Sequence, residues 1–564
     1  MVYSRSEDQV YGLDTCGTDI IGSDPKTANK MLCFVIDGLS TKYTIPASYF
    51  FHRQLTVDTF HDLTLKVLKL LTECAFIVLR LVTDNLNLNV ALFKKLSNTT
   101  GPPKNCISHP VLEYLPFFLS FDFCHAVKNV RNQFLNHDML SLQGTISSKF
   151  LKKIYKLQKG LPVKPIRFLT KTHLYPTNFE KMNVLRAVQI FSTPVTSSLQ
   201  YLKDANDKNF VNVENTIQFM KTIYYFFQIH NVSNRYHYIR SLDSSIAPYV
   251  HVSDERLQWL NEIFPNYIDE IQTISSASTS FRGFTQETAH ALKFIARSTY
   301  LCVKFLLEQA GFYYVLTRSF SSDAVEATFS HVRLKGGSND ATDARAAEYA
   351  MRQILRCGIV KCSKSSNVSN IDFVSTAKFS VLDHDTKQDK ENFDVPLELR
   401  TKIQNLSKLI EPCANILSAS VAFLADYILK KLDDKFHCDS CLAPLLSKEV
   451  PGPLLRLILL QDRGGLTYSN AYFVGIVKEV ADVTQKMLPF LNSKKTCQQI
   501  CNLLHPSLDQ NPLFCCLEHK SRVYDIIIRA TVKPVIDNIC LEQRDWLKKI
   551  TICNKPTSRK VLKL

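Results

Sequence analysis

The sequence predicts a mixed α/β sheet domain, interrupted by a long helical stretch and followed by a helical C-terminal domain. Three observations carry this. The first 135 or so residues alternate short β-branched and aromatic runs with helically spaced segments. From about 140 to 310 helical periodicity dominates and strand signals nearly vanish. A short strand-like run, "FYYVLTRSF", then returns, and from 398 onward the chain again reads as helix.

In chain order, "KMLCFVIDG" (30–38) and "YTIPASYFF" (43–51) predict a hairpin or two adjacent strands. "VDTFHDLTLKVLKLLTECA" places Phe60, Leu63, Val67, Leu70 and Leu71 at helical spacing, with an Asp near its start. "FIVLRLVTDN" is a continuous apolar strand ending at Asp84. "EYLPFFLSFD" is another, ending at Asp122 and running into the helix "FCHAVKNVRNQFL". Strand–helix–strand order of this kind builds a mixed sheet. "NFEKMNVLRAVQIFSTPVTSSLQYL" and "VENTIQFMKTIYYFFQIHN" typify the helical stretch. After the returning strand come a short helix, a stop at Gly336-Gly337 and the Ala-rich helix "TDARAAEYAMRQILRCG". The expected boundaries are 1–138 and 311–358 for the two parts of the sheet domain, with 139–310 as the helical insertion. Residues 359–397 form a polar linker and 398–564 the C-terminal domain.

A chain of 564 residues is too long for one core. Its 45% hydrophobic and 21% charged residues describe an ordered globular protein. No apolar run approaches the roughly 18 residues that a membrane span needs, so no membrane partner is expected. The N-terminus lacks the apolar stretch of a secretory signal. Seventeen cysteines without a tight repeat suggest reduced thiols in an intracellular compartment, with one metal site. The formal charge of +16 and the basic tail "WLKKITICNKPTSRKVLKL" favour a polyanionic partner, above all nucleic acid.

The segment "SSDAVEATFSHVRLKGGSND" (321–340) carries Asp323 and Glu326 three residues apart at the start of a short helix. Capping explains such a pair, since Asp323 accepts free amide hydrogens and Glu326 reaches back. Metal chemistry explains it too. Asp84 and Asp122 end apolar strands, the edge of an open sheet where ligands gather. Two-metal phosphoryl transfer needs carboxylates converging on ions about 3.5–4 Å apart. Val325, Phe329 and Val332 supply the expected buried stripe of the short helix.

These motifs resemble those of P-element-type transposases, the family that includes the THAP-domain transposases. "SSDAVEATFSHVRLKGGSND" is similar to that family's signature, "VTDNLNLN" (82–89) to its Asp-to-Asn strand end, and "FDFCHAVKNVRN" (121–132) to its Asp-His-Lys-Arg-Asn motif. "THLYPTNFEKMNVLRAVQIFS" and "QDRGGLTYS" match as well, in the family's order over almost the whole chain. The resemblance implies an RNase H-like fold interrupted by a helical GTP-binding insertion, in a nuclear protein that cleaves and joins DNA at transposon ends with Mg²⁺ and self-associates. It makes Asp84 the second carboxylate of a catalytic triad and Glu326 the third. Asp323 would face the magnesium of a bound nucleotide.

The sequence also departs from that pattern. The family's first catalytic Asp lies on an opening strand just ahead of the segment that here reads "MVYSRSEDQVYGLD", and Asp8 and Asp14 are out of place. The expectation is a chain that starts after that strand, without the preceding THAP zinc module and dimerising segment, and catalytically impaired as given. A co-opted nuclear DNA-binding or protein-interaction factor is the alternative. In the insertion, Gln228 stands where the family places a guanine-reading Asp, while Asn231 keeps its place. An amide offers guanine one acceptor where a carboxylate offers two, so GTP selectivity should weaken.

Two further clusters stand out. "HCDSC" and "FCCLEH" supply Cys438, Cys441, Cys516 and His519, the ligand inventory of a structural zinc site; buried free thiols are the alternative. His125, Lys128 and Arg131 fall at spacing three on one helical face, suited to nucleic-acid phosphate or to a solvated basic surface.

Overall fold

The computed structural model describes residues 2–4, 9–14, 16, 27–278, 281–335, 342–357, 395–447, 452–464, 466–491, 495–514 and 516–553. Asp8, Gly336-Gly337, most of the 359–397 linker, Cys515 and the tail beyond Cys553 lie outside the described residues. The chain divides into two compact units. The first comprises Met1–Ile146, Lys181–Val188 and Thr222–Ser375; the second comprises Ser147–Glu180, Gln189–Lys221 and Thr376–Leu564.

The first unit opens with a short antiparallel pair, β1 (Val2–Ser4) and β2 (Gln9–Tyr11). β3 (Lys30–Asp37) and β4 (Thr44–His52) then form the expected hairpin, with an irregularity at Phe34/Val35. Helix α1 (Val57–Glu73) starts where the Thr56 hydroxyl accepts from the Thr59 amide, so its cap is the Thr rather than the Asp that follows. β5 (Arg80–Thr83) leads through α2 (Asn87–Leu96) and β6 (Cys106–Ser108) to β7 (Pro116–Phe121). The sheet order is β5-β7-β6, with β5 parallel and β6 antiparallel to β7, so the sheet is mixed as anticipated. α3 (Phe123–Asn136) follows β7 directly.

The 23-residue helix Gln286–Glu308 covers this sheet. Its buried side chains recur every three to four residues, from Thr288 through Leu292, Ile295 and Cys302 to Leu306, which is why the segment is helical and faces a core. Phe294 joins Phe93 of α2 and Phe121 of β7 in a ring cluster with centroids 5.0–6.0 Å apart. Burying each such ring contributes about 1.5–3 kcal/mol, so this cluster holds helix, sheet and crossover together. "FYYVLTRSF" does not form a strand. It makes one isolated bridge, Val315 to Tyr249, and then a 3-10 turn over Thr317–Phe320. With one bridge there is no ladder to propagate, and its β-branched and aromatic residues serve instead as core: Val315 and Phe320 are buried.

The second unit is helical. Ile416–Phe436 is buried on most sides from Ser418 to Leu432, as a central helix must be, and ends in a charged, exposed turn. Ala471–Met487, Thr496–Asp509 and the 34-residue Lys520–Cys553 share its core. No helix among the described residues is long and apolar enough to cross a membrane.

Candidate active site

The parallel pairing of β5 and β7 decides where the acidic groups fall. Thr83 pairs with Phe121 and the Asp122 amide donates to the Thr83 carbonyl at 2.8 Å, so Asp84 and Asp122 emerge side by side at the C-terminal sheet edge. Their side chains then diverge. Asp122 is buried, caps α3 by accepting from the His125 amide (3.1 Å), and accepts from the Ser322 amide (3.3 Å). That fastens the start of the Asp323–Lys335 helix to the sheet edge. Asp84 instead accepts from the Asn89 side-chain amide, which also donates to the Asp84 carbonyl at 3.0 Å.

Glu326, from a helix far along the chain, lines the same cavity as Asp84. Asp84, Glu326, His125 and Asn89 all line one cavity of about 960 Å³. Its walls also include every residue from Met31 to Asp37 and from Ile77 to Asp84. A strand that presents a face contributes alternate residues; one that contributes all of them presents an edge. The cavity is therefore a slot between the edges of β3 and β5, neither of which pairs with another described strand on that side. Arg80 holds β5 in position. Its guanidinium donates to the Ser298 carbonyl (3.2 Å) and the Thr299 hydroxyl (3.3 Å) and lies over the Phe320 ring.

Neither acid of the short helix caps it. Ser322 takes the capping position through its carbonyl, Asp323 pairs with Arg318 (2.9 Å), and Glu326 meets His125 Nε2 at 3.2 Å. The His125 hydrogen bond, set against burial, holds the Glu326 carboxyl below its ordinary range. Burial pushes Asp323 up to about 6; the Asp122 and Glu326 charges add to this and Arg318 opposes it. The expected stripe is only partly right: Val332 is buried, whereas Val325 and Phe329 line the slot.

Arg318 escaped the sequence reading, although a basic residue five positions before an acidic helix start was a usable signal. It donates to Asn231 Oδ1 (2.7 Å) as well as to Asp323, so one guanidinium joins two of the three proposed nucleotide ligands. The third, Gln228, donates its amide to Asp243 at 2.7 Å. Asp243 lies 15 residues away, and no local spacing announced it.

The His125, Lys128 and Arg131 row is not an exposed basic face. His125 serves Glu326, Lys128 is 8% exposed, and Arg131 is fully buried, donating to Asn132 Oδ1 and the Lys181 carbonyl (both 2.8 Å). Spacing three on a helix selects a face but not whether that face looks out. In the second unit the structure brings Cys438, Cys441, Cys516 and His519 together, all four ligand atoms within 4.8 Å of one another.

A mixed sheet with an acidic strand end and a glutamate returning on a helix from beyond a long helical insertion is RNase H-like architecture. Comparison with known proteins bears this out. Family models match in chain order: the TNP-like RNase H N-terminal domain over residues 1–97, the TNP-like GTP-binding insertion domain over 124–241, and the C-terminal domain of DNA transposase THAP9 over 405–533. The Transposable element P transposase of Drosophila melanogaster is 22% identical over 401 residues, 71% of this chain and 51% of the relative. DNA transposase THAP9 of Homo sapiens is 24% identical over 324 residues, 54% and 34% of the two chains. The chain thus spans about half of the length of the first of these curated relatives and about a third of the second. The solved Drosophila P element transposase strand transfer complex superposes with a TM-score of 0.50 at 21% identity, over 62% of this chain and 76% of that one, a likeness of fold. In three successive segments and in its matched relatives the chain is similar to the P-element-type transposases.

Proposed function

We propose that this chain is a nuclear, DNA-binding transposase core whose Asp84 and Glu326 hold a divalent ion, Mg²⁺ by resemblance, for cleavage and joining of phosphodiesters. The single observation that carries the reading is that both residues line one cavity at the sheet edge. A bound ion there would neutralise charge on the attacking and leaving oxygens. Asn89 orients Asp84, and His125 orients Glu326. Two carboxylates do not fix two ions, so two-metal cleavage needs a third beside Asp84 and Glu326, and a chain in which no third carboxylate is placed there would bind DNA and not cleave it. That is also the second reading, a binding factor without nuclease activity.

The test is Mn²⁺ titration of the full chain beside D84N and E326Q, with duplex binding and nicking followed in parallel. Expected are metal binding lost in both variants, DNA binding kept, and nicking weak or absent throughout. Equal Mn²⁺ binding in all three proteins would sink the reading. For the nucleotide, the Gln228–Asp243 contact supports weak base selectivity: GTP and ATP should bind comparably or not at all.

A further inference from the structure

We propose that Cys438, Cys441, Cys516 and His519 form a closed zinc site that clamps the end of helix Ile416–Phe436 to the start of helix Lys520–Cys553. His519 Nδ1 lies 3.6 Å from Cys441 Sγ and 3.7 Å from Cys516 Sγ. With Zn–S about 2.3 Å and Zn–N about 2.0–2.1 Å, a tetrahedron has S···N edges of about 3.6 Å and S···S edges of about 3.8 Å. The observed separations match those of ligands around one ion, and all four ligand atoms lie within 4.8 Å of one another.

The backbone is built to present these atoms. His437 ends its helix in the left-handed region (φ 44°), which turns the chain so that Cys438 heads the next short helix, Asp439–Leu442. The Cys441 amide donates to the Cys438 carbonyl at 3.0 Å, closing the turn that sets both sulfurs on one side. The Glu518 and His519 amides point at the Cys516 sulfur. His519 packs against Phe436 (centroids 4.8 Å apart), and its Nε2 faces the Glu518 carboxylate at 3.7 Å, the kind of outer partner that orients a ligating imidazole. Cys438, Cys441 and Cys516 are all free thiols, so no disulfide competes for them.

Four protein ligands leave no open position, so the ion is structural and supplies no Lewis-acid chemistry. It joins residues 78 apart in sequence and fixes the entry of the 34-residue helix.

The test uses the full chain purified from zinc-supplemented culture. Expected is about one zinc per chain beyond background, lost in C438S, C516S and H519A, kept in H519C, which restores a fourth ligand, and kept in C413S, an exposed thiol elsewhere. Cobalt loading of the wild-type chain should give the visible bands of tetrahedral thiolate coordination, a readout that needs no variant to fold. Zinc content unchanged by the ligand substitutions, or a cobalt-loaded chain without those bands, overturns the proposal.

Discussion

His125 Nε2 sits 3.2 Å from Glu326 Oε1, an imidazole from the first helix after the sheet meeting a carboxylate 201 residues later. Burial works against protonating His125, but the Glu326 hydrogen bond and the Asp122 charge outweigh it and raise its pKa above 6.5. The sign of the linkage follows. His125 stabilises the fold fully below 6.5, and this is lost as pH rises through its raised value; Glu326 stabilises above 4.5, lost as pH falls through its lowered one. The pair is therefore strongest between those limits. In E326Q the largest opposing influence, the Glu326 hydrogen bond, goes while the Asp122 charge stays. The imidazole titration followed by NMR is expected to move downward; an unmoved titration would mean the pair is not formed.

Asp323, pushed up to about 6 by burial, gives the opposite dependence. Its folded form holds a proton that the unfolded chain gives up near 3.8, so it costs stability at neutral pH and that cost fades as pH falls through 6. D323N should remove this component, so that the Tm difference between variant and wild type changes across pH 4–6.5 and is flat above pH 7.5. A constant difference across that range would refute the assignment.

R318A leaves the Asp323 carboxylate without its cation and Asn231 without its donor. A loss of about 1–3 kcal/mol is expected from denaturant unfolding. In the R318A/D323N double variant much of it should return, because the unpaired charge is gone; additive losses would show that the two residues act separately.

For Arg131, burial predicts a structural role. R131A should lower Tm strongly while the slope of log K for DNA against log salt stays unchanged, since a residue with 0% exposure neutralises no phosphate. A slope reduced by about 1 would restore it to the DNA interface.

In the second unit, Gly475 lies within helix Ala471–Met487 where a Cβ would stand 2.0 Å from the Ile410 carbonyl oxygen. Helix propensity alone favours G475A by about 1 kcal/mol. Backbone cannot yield as a side chain does, so the clash should win and Tm should fall; a rise would show that the two segments are not in contact.

The sequence made the alternating elements legible because β5, β7 and α3 each satisfy a local rule: apolar run, acidic strand end, helical spacing. It also made the pairing of "HCDSC" with "FCCLEH" legible, since few other roles suit that inventory. What stayed hidden were properties of the third dimension. Arg131 and His125 share a spacing but not an environment. Gln228 and Asp243 meet across a turn that no period encodes. "FYYVLTRSF" has strand chemistry but, among the described residues, one bridge, to Tyr249, and one bridge does not make a strand. The glutamate was found from its motif, but its imidazole partner could be known only once both helices were in place.

The edges of β3 and β5, which no other described strand pairs, have a practical consequence for handling this protein. A strand edge flanked by apolar side chains is a template for foreign strands. Purified chain should therefore be least soluble where neighbours are most concentrated, and a short extended peptide matching the rim should keep it dispersed.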